Sequence, residues 1–329
     1  MLPDLIRLVG RYLLLAAGIV LLNFFIPRLL PGDPLSFRSG EGADAAVPLS
    51  TTARERLRAY YRLDEPLKRQ FAAYLGDLAR GDLGRSIART APVRDLILDR
   101  LPWTLGLLLA ALLISTVVGT AAGVVAGWLP GRRRDRLLVS AASAVAAIPE
   151  FLIAIGLLLI FAVWFSWFPL FGGRSVFATY VTGFGGTVGQ ALDVLWHLTL
   201  PAATLALAGT APLLLLTRDA TAGLRHAPWL TVARAKGLPE RVIARRHALP
   251  NVALPLLAYF GLRLGSVLGG ALVVERVFSV PGLGLLGYQA ILARDYPLLQ
   301  ALFLLAGLGV LAANLLVDVV SLRVGGRRG

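Results

Sequence analysis

The sequence predicts an all-α protein that crosses a membrane six times. Three observations carry this. The mean hydropathy is +0.71 with only 16% charged residues, far from a soluble globular composition. Six apolar runs reach the roughly 20 residues that a helix needs to cross a bilayer. Arginines cluster at alternate ends of those runs, as cytoplasmic loops require. A β-barrel would instead show alternating runs of about ten residues.

The spans are read, in order, as Leu8–Leu30, Leu101–Trp128, Leu137–Phe168, Leu195–Leu216, Asn251–Val274 and Leu298–Val320. Arg7 and Arg11 precede the first, and Arg132, Arg133, Arg134 and Arg136 follow the second. Residues 218–246 hold the arginines between the fourth and fifth, and Arg323, Arg327 and Arg328 follow the sixth. Both termini are therefore expected in the cytoplasm. The first run resembles a signal peptide, but Asn23-Phe24-Phe25-Ile26-Pro27-Arg28 offers no small-x-small cleavage site and is read as an uncleaved span. The net charge of +14 reads as topology plus affinity for anionic lipid rather than nucleic acid, because no basic soluble domain remains.

The chain divides into the first helix (1–30), an outer segment (31–100) and a five-helix core (101–329) containing a cytoplasmic loop (217–250). In the outer segment, Thr52-Ala53-Arg54-Glu55 reads as a capping box. A second helix starts near Asp64, with Pro66 in its first turn and Leu67, Phe71, Leu75 and Leu78 on one face. Two readings stand: a helix lying on the outer ends of its own spans, and a platform for an external partner.

Spans 2 and 5 each carry a glycine ridge, Gly119-Gly123-Gly127 and Gly261-Gly265-Gly269. Four-residue spacing places each set along one face, where helix backbones approach closely in lipid. Glu150 in span 3 and Arg263 in span 5 are ionisable groups inside the membrane, where charge is costly and calls for a partner. Counted along straight helices, both lie at about the same depth, roughly 20 Å from the cytoplasmic ends. They are expected either to line a polar pathway or to form a structural ion pair.

Catalytic chemistry has no foothold. There are no cysteines, and the two lysines, Lys68 and Lys236, do not follow a glycine, which excludes a G-x-x-x-x-G-K-[ST] phosphate loop. The three histidines, His197, His226 and His247, are scattered, so no metal site is expected. No G-x-S-x-G is present. The chain is read as not an enzyme and as holding no cofactor of its own.

One block remains. TVARAKGLPERVIARRHALP, residues 231–250, is basic, lies between spans 4 and 5 and faces the cytoplasm by the charge rule. Pro228 can open a helix, Gly237 suits the left-handed turn that ends one, and Pro239 permits another to begin at once. Leu238, Val242 and Leu249 fall near one face, while Arg241 and Arg245 stack on another. The bland reading is a helix pair resting on lipid headgroups. The sharper one is a rigid lever docked into an energy-supplying partner.

The order Ala233, three residues, Gly237, nine residues, His247-Ala248-Leu249-Pro250 resembles the E-A-A-x3-G-x9-I-x-L-P signature of binding-protein-dependent ABC importer permeases. ARAKGL and RRHALPN are similar to the dipeptide/oligopeptide/nickel permease family, in its B-type subunit. So are LLPGDP (29–34), RGDLGRSI (80–87), DRLPWTL (99–105), VVERVFSVPGLG (273–284) and RDYPLLQ (294–300). Thr231-Val232 stand in place of Glu-Ala, Pro228 replaces a usual acidic residue, and Ser321-Leu322-Arg323-Val324-Gly325 lacks the common Asp-Pro-Arg end.

The resemblance implies a type I ABC importer permease fold in the bacterial cytoplasmic (inner) membrane. It implies three kinds of protein partner: a second, distinct permease, two cytoplasmic ATPases that bind ATP and Mg, and an external binding protein delivering peptides, nickel complexes or related solutes. Thr231, Ala233, Arg234, Ala235, Lys236, Gly237, Leu238, Arg241, Val242 and Arg245 would then form the ATPase-coupling region, with Leu238 and Val242 filling a groove in the ATPase. The alternative is an ion-coupled secondary transporter acting alone, with Glu150 as proton carrier.

Overall fold

The computed structural model describes residues 2–29, 55, 65–175 and 187–325, and the side chains of residues 2–4, 26–29, 226, 241, 245, 253–255, 257–258, 261–270 and 322–325 lie outside that description. Residues 52–54 of the capping box fall outside it, as does most of the 29–34 string.

Among the described residues the regular elements are helices: α1 (Leu2–Leu29), α2 (Leu67–Ala79), α3 (Val93–Trp128), α4 (Arg133–Ala147) and α5 (Glu150–Leu157), which continues as a π-helical stretch to Trp164. Then come α6 (Thr187–Gly223), a 3₁₀ turn (Leu224–His226), α7 (Pro228–Ala235), α8 (Glu240–Ile243) and a π-helical turn (Ala244–Ala248). The last three are α9 (Leu249–Phe278), α10 (Leu283–Leu292) and α11 (Tyr296–Gly325). Among the described residues, four helices are long and apolar enough to cross a membrane, and the number reaches six if each of two bent pairs counts as one span.

The bends correct the reading of straight spans. Span 3 is broken: α4 and the α5 stretch meet at 99°. The cause is local. Ile148 precedes Pro149, and the residue before a proline is pushed out of the helical region; here Ile148 is extended, at φ −86° and ψ 124°. Glu150 therefore opens a second half-helix, and its depth cannot be counted along a straight rod. The second bend, 83° between Ala271–Phe278 and α10, follows Ser279, which adopts a left-handed conformation (φ 54°) just before Pro281. Pro102 in α3 and Pro201 and Pro212 in α6 lie inside helices that continue past them.

Two compact units emerge. The first comprises Pro102–Leu285 with the chain ends, the second Ile6–Leu101 with Leu286–Leu311. In the first, α6 is the central element, packed by α4, α5 and α9. Its main core joins Leu107 of α3, Ala154 of α5, Leu200 of α6, and Val274 and Phe278 of α9. The glycine ridge of α3 lies against α6. A Cβ at Gly119 would come within 3.1 Å of the Thr210 carbonyl oxygen, and one at Gly123 within 2.7 Å of that of Leu214. A Cβ at Gly127 would collide with the Arg218 carbonyl. This is the close approach that a small-residue stripe permits. At the same end Arg218 grips Asp135 of α4 through Nε at 3.0 Å and Nη2 at 2.9 Å, and Asp135 also accepts from the Gly131 amide at 2.7 Å.

In the second unit, α2 does lie on the end of α1. Phe24 packs edge-on against Phe71 with ring centroids 5.0 Å apart, and Asn23 donates to the Tyr74 hydroxyl at 3.1 Å. The inward face of α2 differs from the one expected: Gln70 is buried, whereas Leu67 and Leu75 are exposed. Gly307 of α11 sits against Ile19 of α1.

Candidate coupling site

The block at 228–248 folds as helix, turn, helix. Pro228 occupies the first turn of α7, where its missing N–H costs nothing. Gly237 sits at φ +71°, the left-handed conformation that glycine adopts without penalty, and its amide donates to the Arg234 carbonyl at 2.9 Å. The Leu238 amide reaches the Ala233 carbonyl at 3.3 Å, closing the helix end. Pro239 then starts α8, accepting from Val242 and Ile243.

A small core holds the two helices together. Leu230, Ala233 and Ile243 are buried, and Trp128, Trp229 and Leu238 pack around them. Ala233 is thus turned inward, and Leu238 is half-buried against this core. The outward face is Thr231, Val232, Arg234, Ala235, Lys236 and Gly237. Val232 is 54% exposed, the most apolar feature of that face. Val242 is half-buried, and Arg241 and Arg245 have no described side chains.

An ion pair spans the turn. Arg234 donates through Nε to Glu240 Oε1 at 2.8 Å and through Nη2 to Oε2 at 3.4 Å. Trp128, the last residue of α3, donates its indole N–H to Glu240 Oε2 at 3.0 Å. The Arg234 hydrogen bonds hold the Glu240 carboxyl below the usual carboxylate range, partly opposed by burial, and the same pair raises the Arg234 guanidinium. Neither Trp128 nor Glu240 was singled out from the sequence. Their signal is non-local, 112 positions apart.

The other motif strings prove to be paired. Thr104, from the 99–105 string, donates to Glu275 of the 273–284 string at 2.6 Å. The same hydroxyl accepts from the Leu283 amide at 2.8 Å, and Glu275 Oε2 accepts from the Leu285 amide at 3.0 Å. Together they satisfy first-turn amides of α10 just beyond the 83° bend. Gly282 lies so close to the Glu275 carboxylate, and Gly284 to the Leu272 backbone, that no side chain would fit at either position.

In the second unit, Ser86 of the 80–87 string donates to Asp295 of the 294–300 string. Asp295 also accepts from the amides of Ile87 and Ala88, each at 3.2 Å. Arg89 reaches Gln289 of α10.

Glu150 stands in the first turn of α5 at the break in span 3. Arg263 lies in α9, as do Gly261, Gly265 and Gly269, and the side-chain surroundings of all four fall outside the described residues.

Residues 119–327 match the model of the family described as binding-protein-dependent transport system inner membrane component, and the chain belongs to it. It is a multi-pass inner-membrane permease of the ABC importer type that the motifs resembled. The chain is 32% identical over 304 residues to the oligopeptide transport system permease protein AppB of Bacillus subtilis (strain 168), covering 92% of each chain. It is 34% identical over 315 residues to the glutathione transport system permease protein GsiC of Escherichia coli O6:H1 (strain CFT073), covering 95% of this chain and 94% of the relative.

Proposed function

We propose that this chain imports a peptide or a related small solute, driven by two cytoplasmic ATPases, one of them seated on the outward face of α7. In this reading a binding protein on the other side delivers the solute, and a second, distinct permease completes the pathway. ATP and Mg are bound by the ATPases, and both termini lie in the cytoplasm. The observation that carries the proposal is the lever at 228–248. It has a left-handed glycine turn, its own apolar core and an ion pair across the turn, yet it leaves Val232, Ala235 and Lys236 outward. A helix pair that merely rested on headgroups would gain nothing from such internal bracing.

The family membership supports the same class. The two relatives named above carry oligopeptide and glutathione transport in their names, and both solutes bear a free ammonium and a carboxylate. Glu150, at the helix break, and Arg263 are assigned to the pathway, where they would meet those two charged groups. A broken span is where membrane transporters commonly line a cavity.

The test is reconstitution of the complex in vesicles, with a single cysteine introduced at Val232 for crosslinking. A Val232–ATPase crosslink together with ATP-dependent uptake is expected. Uptake driven by an ion gradient without ATP would overturn the proposal in favour of a carrier acting alone.

A further inference from the structure

We propose that Glu240, clamped between Trp128 and Arg234, is the positioning residue that passes movement of the α7–α8 lever sideways into α3. The inference rests on the lever reading above and adds the route by which the stroke enters the membrane.

The chain itself is a poor transmitter here. On one side the lever joins α6 through a 3₁₀ turn, Leu224–His226, and on the other it joins α9 through a π-helical turn, Ala244–Ala248. Both depart from α-helical hydrogen bonding, and such local departures are where helices tend to give. A force applied to α7 would be partly absorbed at these joints.

Glu240 supplies a direct link. Its carboxylate is held by Arg234 from within the lever and by the Trp128 indole from the end of α3, at 2.8 and 3.0 Å. The Trp128 ring also packs on the lever's core of Leu230, Ala233 and Ile243. Beyond Trp128 the load meets a stiff pair of helices, because the ridge Gly119-Gly123-Gly127 brings the α3 backbone against α6. Arg218 of α6 is in turn tied to Asp135 of α4. Displacement of Glu240 therefore moves α3 and α6 together.

The energetics point to geometry rather than fold stability. Arg234 and Glu240 are each 50% exposed, and ion pairs of that kind contribute little to the folded state. Removing the link should leave the protein assembled and change what the lever does.

The experiment uses the complete complex with its ATPases, partner permease and binding protein in lipid vesicles, and reads solute imported per ATP hydrolysed. For W128F, which keeps the ring but lacks the indole N–H, and for E240Q, the ATPases should still co-purify at wild-type stoichiometry. The import-to-hydrolysis ratio should fall roughly two- to thirtyfold, the range expected of contacts that carry coupling. The double variant should be no worse than the more severe single one, since both cut the same link. An unchanged ratio in both single variants would overturn the inference, and so would loss of ATPase association, which would make the contact part of the docking seat. Failure of the unmutated complex to need ATP would instead strike the proposed function itself, so the two failures are told apart by the wild-type measurement.

Discussion

Thr104 and Glu275, 171 positions apart, share a 2.6 Å hydrogen bond that places a carboxylate and a hydroxyl at the start of α10. Glu275 is fully buried, so its hydrogen bonds replace the water it has lost. Removing one partner of such a group costs about 1–3 kcal/mol, more where the group is charged. We expect T104V to lower thermal stability by about 2 kcal/mol and T104S to restore most of it. Intrinsic fluorescence from the six tryptophans in lipid nanodiscs reports the transition.

Asp295 performs a similar task for the turn at Ser86–Arg89. Without the carboxylate, the Ser86 hydroxyl and the Ile87 and Ala88 amides lose their acceptor. D295A is expected to raise amide exchange in residues 84–90 by an order of magnitude or more while leaving exchange in 228–248 unchanged. Hydrogen–deuterium exchange with peptide-level resolution measures both segments at once.

Two glycines on the same helix separate packing from propensity. At Gly123 a Cβ would press on Thr217 and on the Leu214 carbonyl, so G123A must push α3 and α6 apart, costing about 1–3 kcal/mol. At Gly106 nothing lies within 4 Å, and G106A should be neutral or stabilise by up to about 1 kcal/mol through helix propensity. Equal melting shifts for the two would contradict the ridge.

Gly237 is limited by conformation alone. Its surroundings are open, but φ is +71°. G237A should cost about 1–2 kcal/mol locally, with G237N milder because asparagine tolerates the left-handed region. ATPase co-purification should follow the order glycine, asparagine, alanine.

The brace at Glu240 has a defined pH dependence. Its folded carboxyl sits below the usual range because Arg234 stabilises the charged form. The contribution is therefore fully present above the ordinary carboxylate value and is lost as pH falls through the lower folded value. The fluorescence of Trp128, obtained as the difference between wild type and W128F, should stay constant from pH 7 to 5 and change only in more acidic buffer. E240Q should abolish that acid step.

Much of this molecule could be read from its residue order. The helical class followed from hydropathy. The α3 ridge followed from four-residue spacing, and the lever's turn from a glycine just before Leu238-Pro239. Each is a local property, because a run's hydropathy and the backbone preferences of proline and glycine act within a few residues. The break at Ile148-Pro149 was equally local but lay hidden inside a continuous apolar run. Hydropathy is indifferent to a helix's direction, and only the extended conformation forced before Pro149 shows the turn. The face of α2 was legible only in part: spacing placed Leu67, Phe71, Leu75 and Leu78 together, but Phe24 and Asn23 of α1 took Phe71 and Tyr74 and left Leu67 and Leu75 exposed.

The chain alone thus settled that it is helical, membrane-embedded and equipped with a hinged basic block. What lies against what was decided only on folding: Thr104 with Glu275, Ser86 with Asp295, Trp128 with Glu240, and the glycine ridge with Thr217 and Thr221. A buried carboxylate accepts whichever donors the packing brings within 3 Å or so. Those donors come from segments far apart along the chain, so no spacing in one segment announces them.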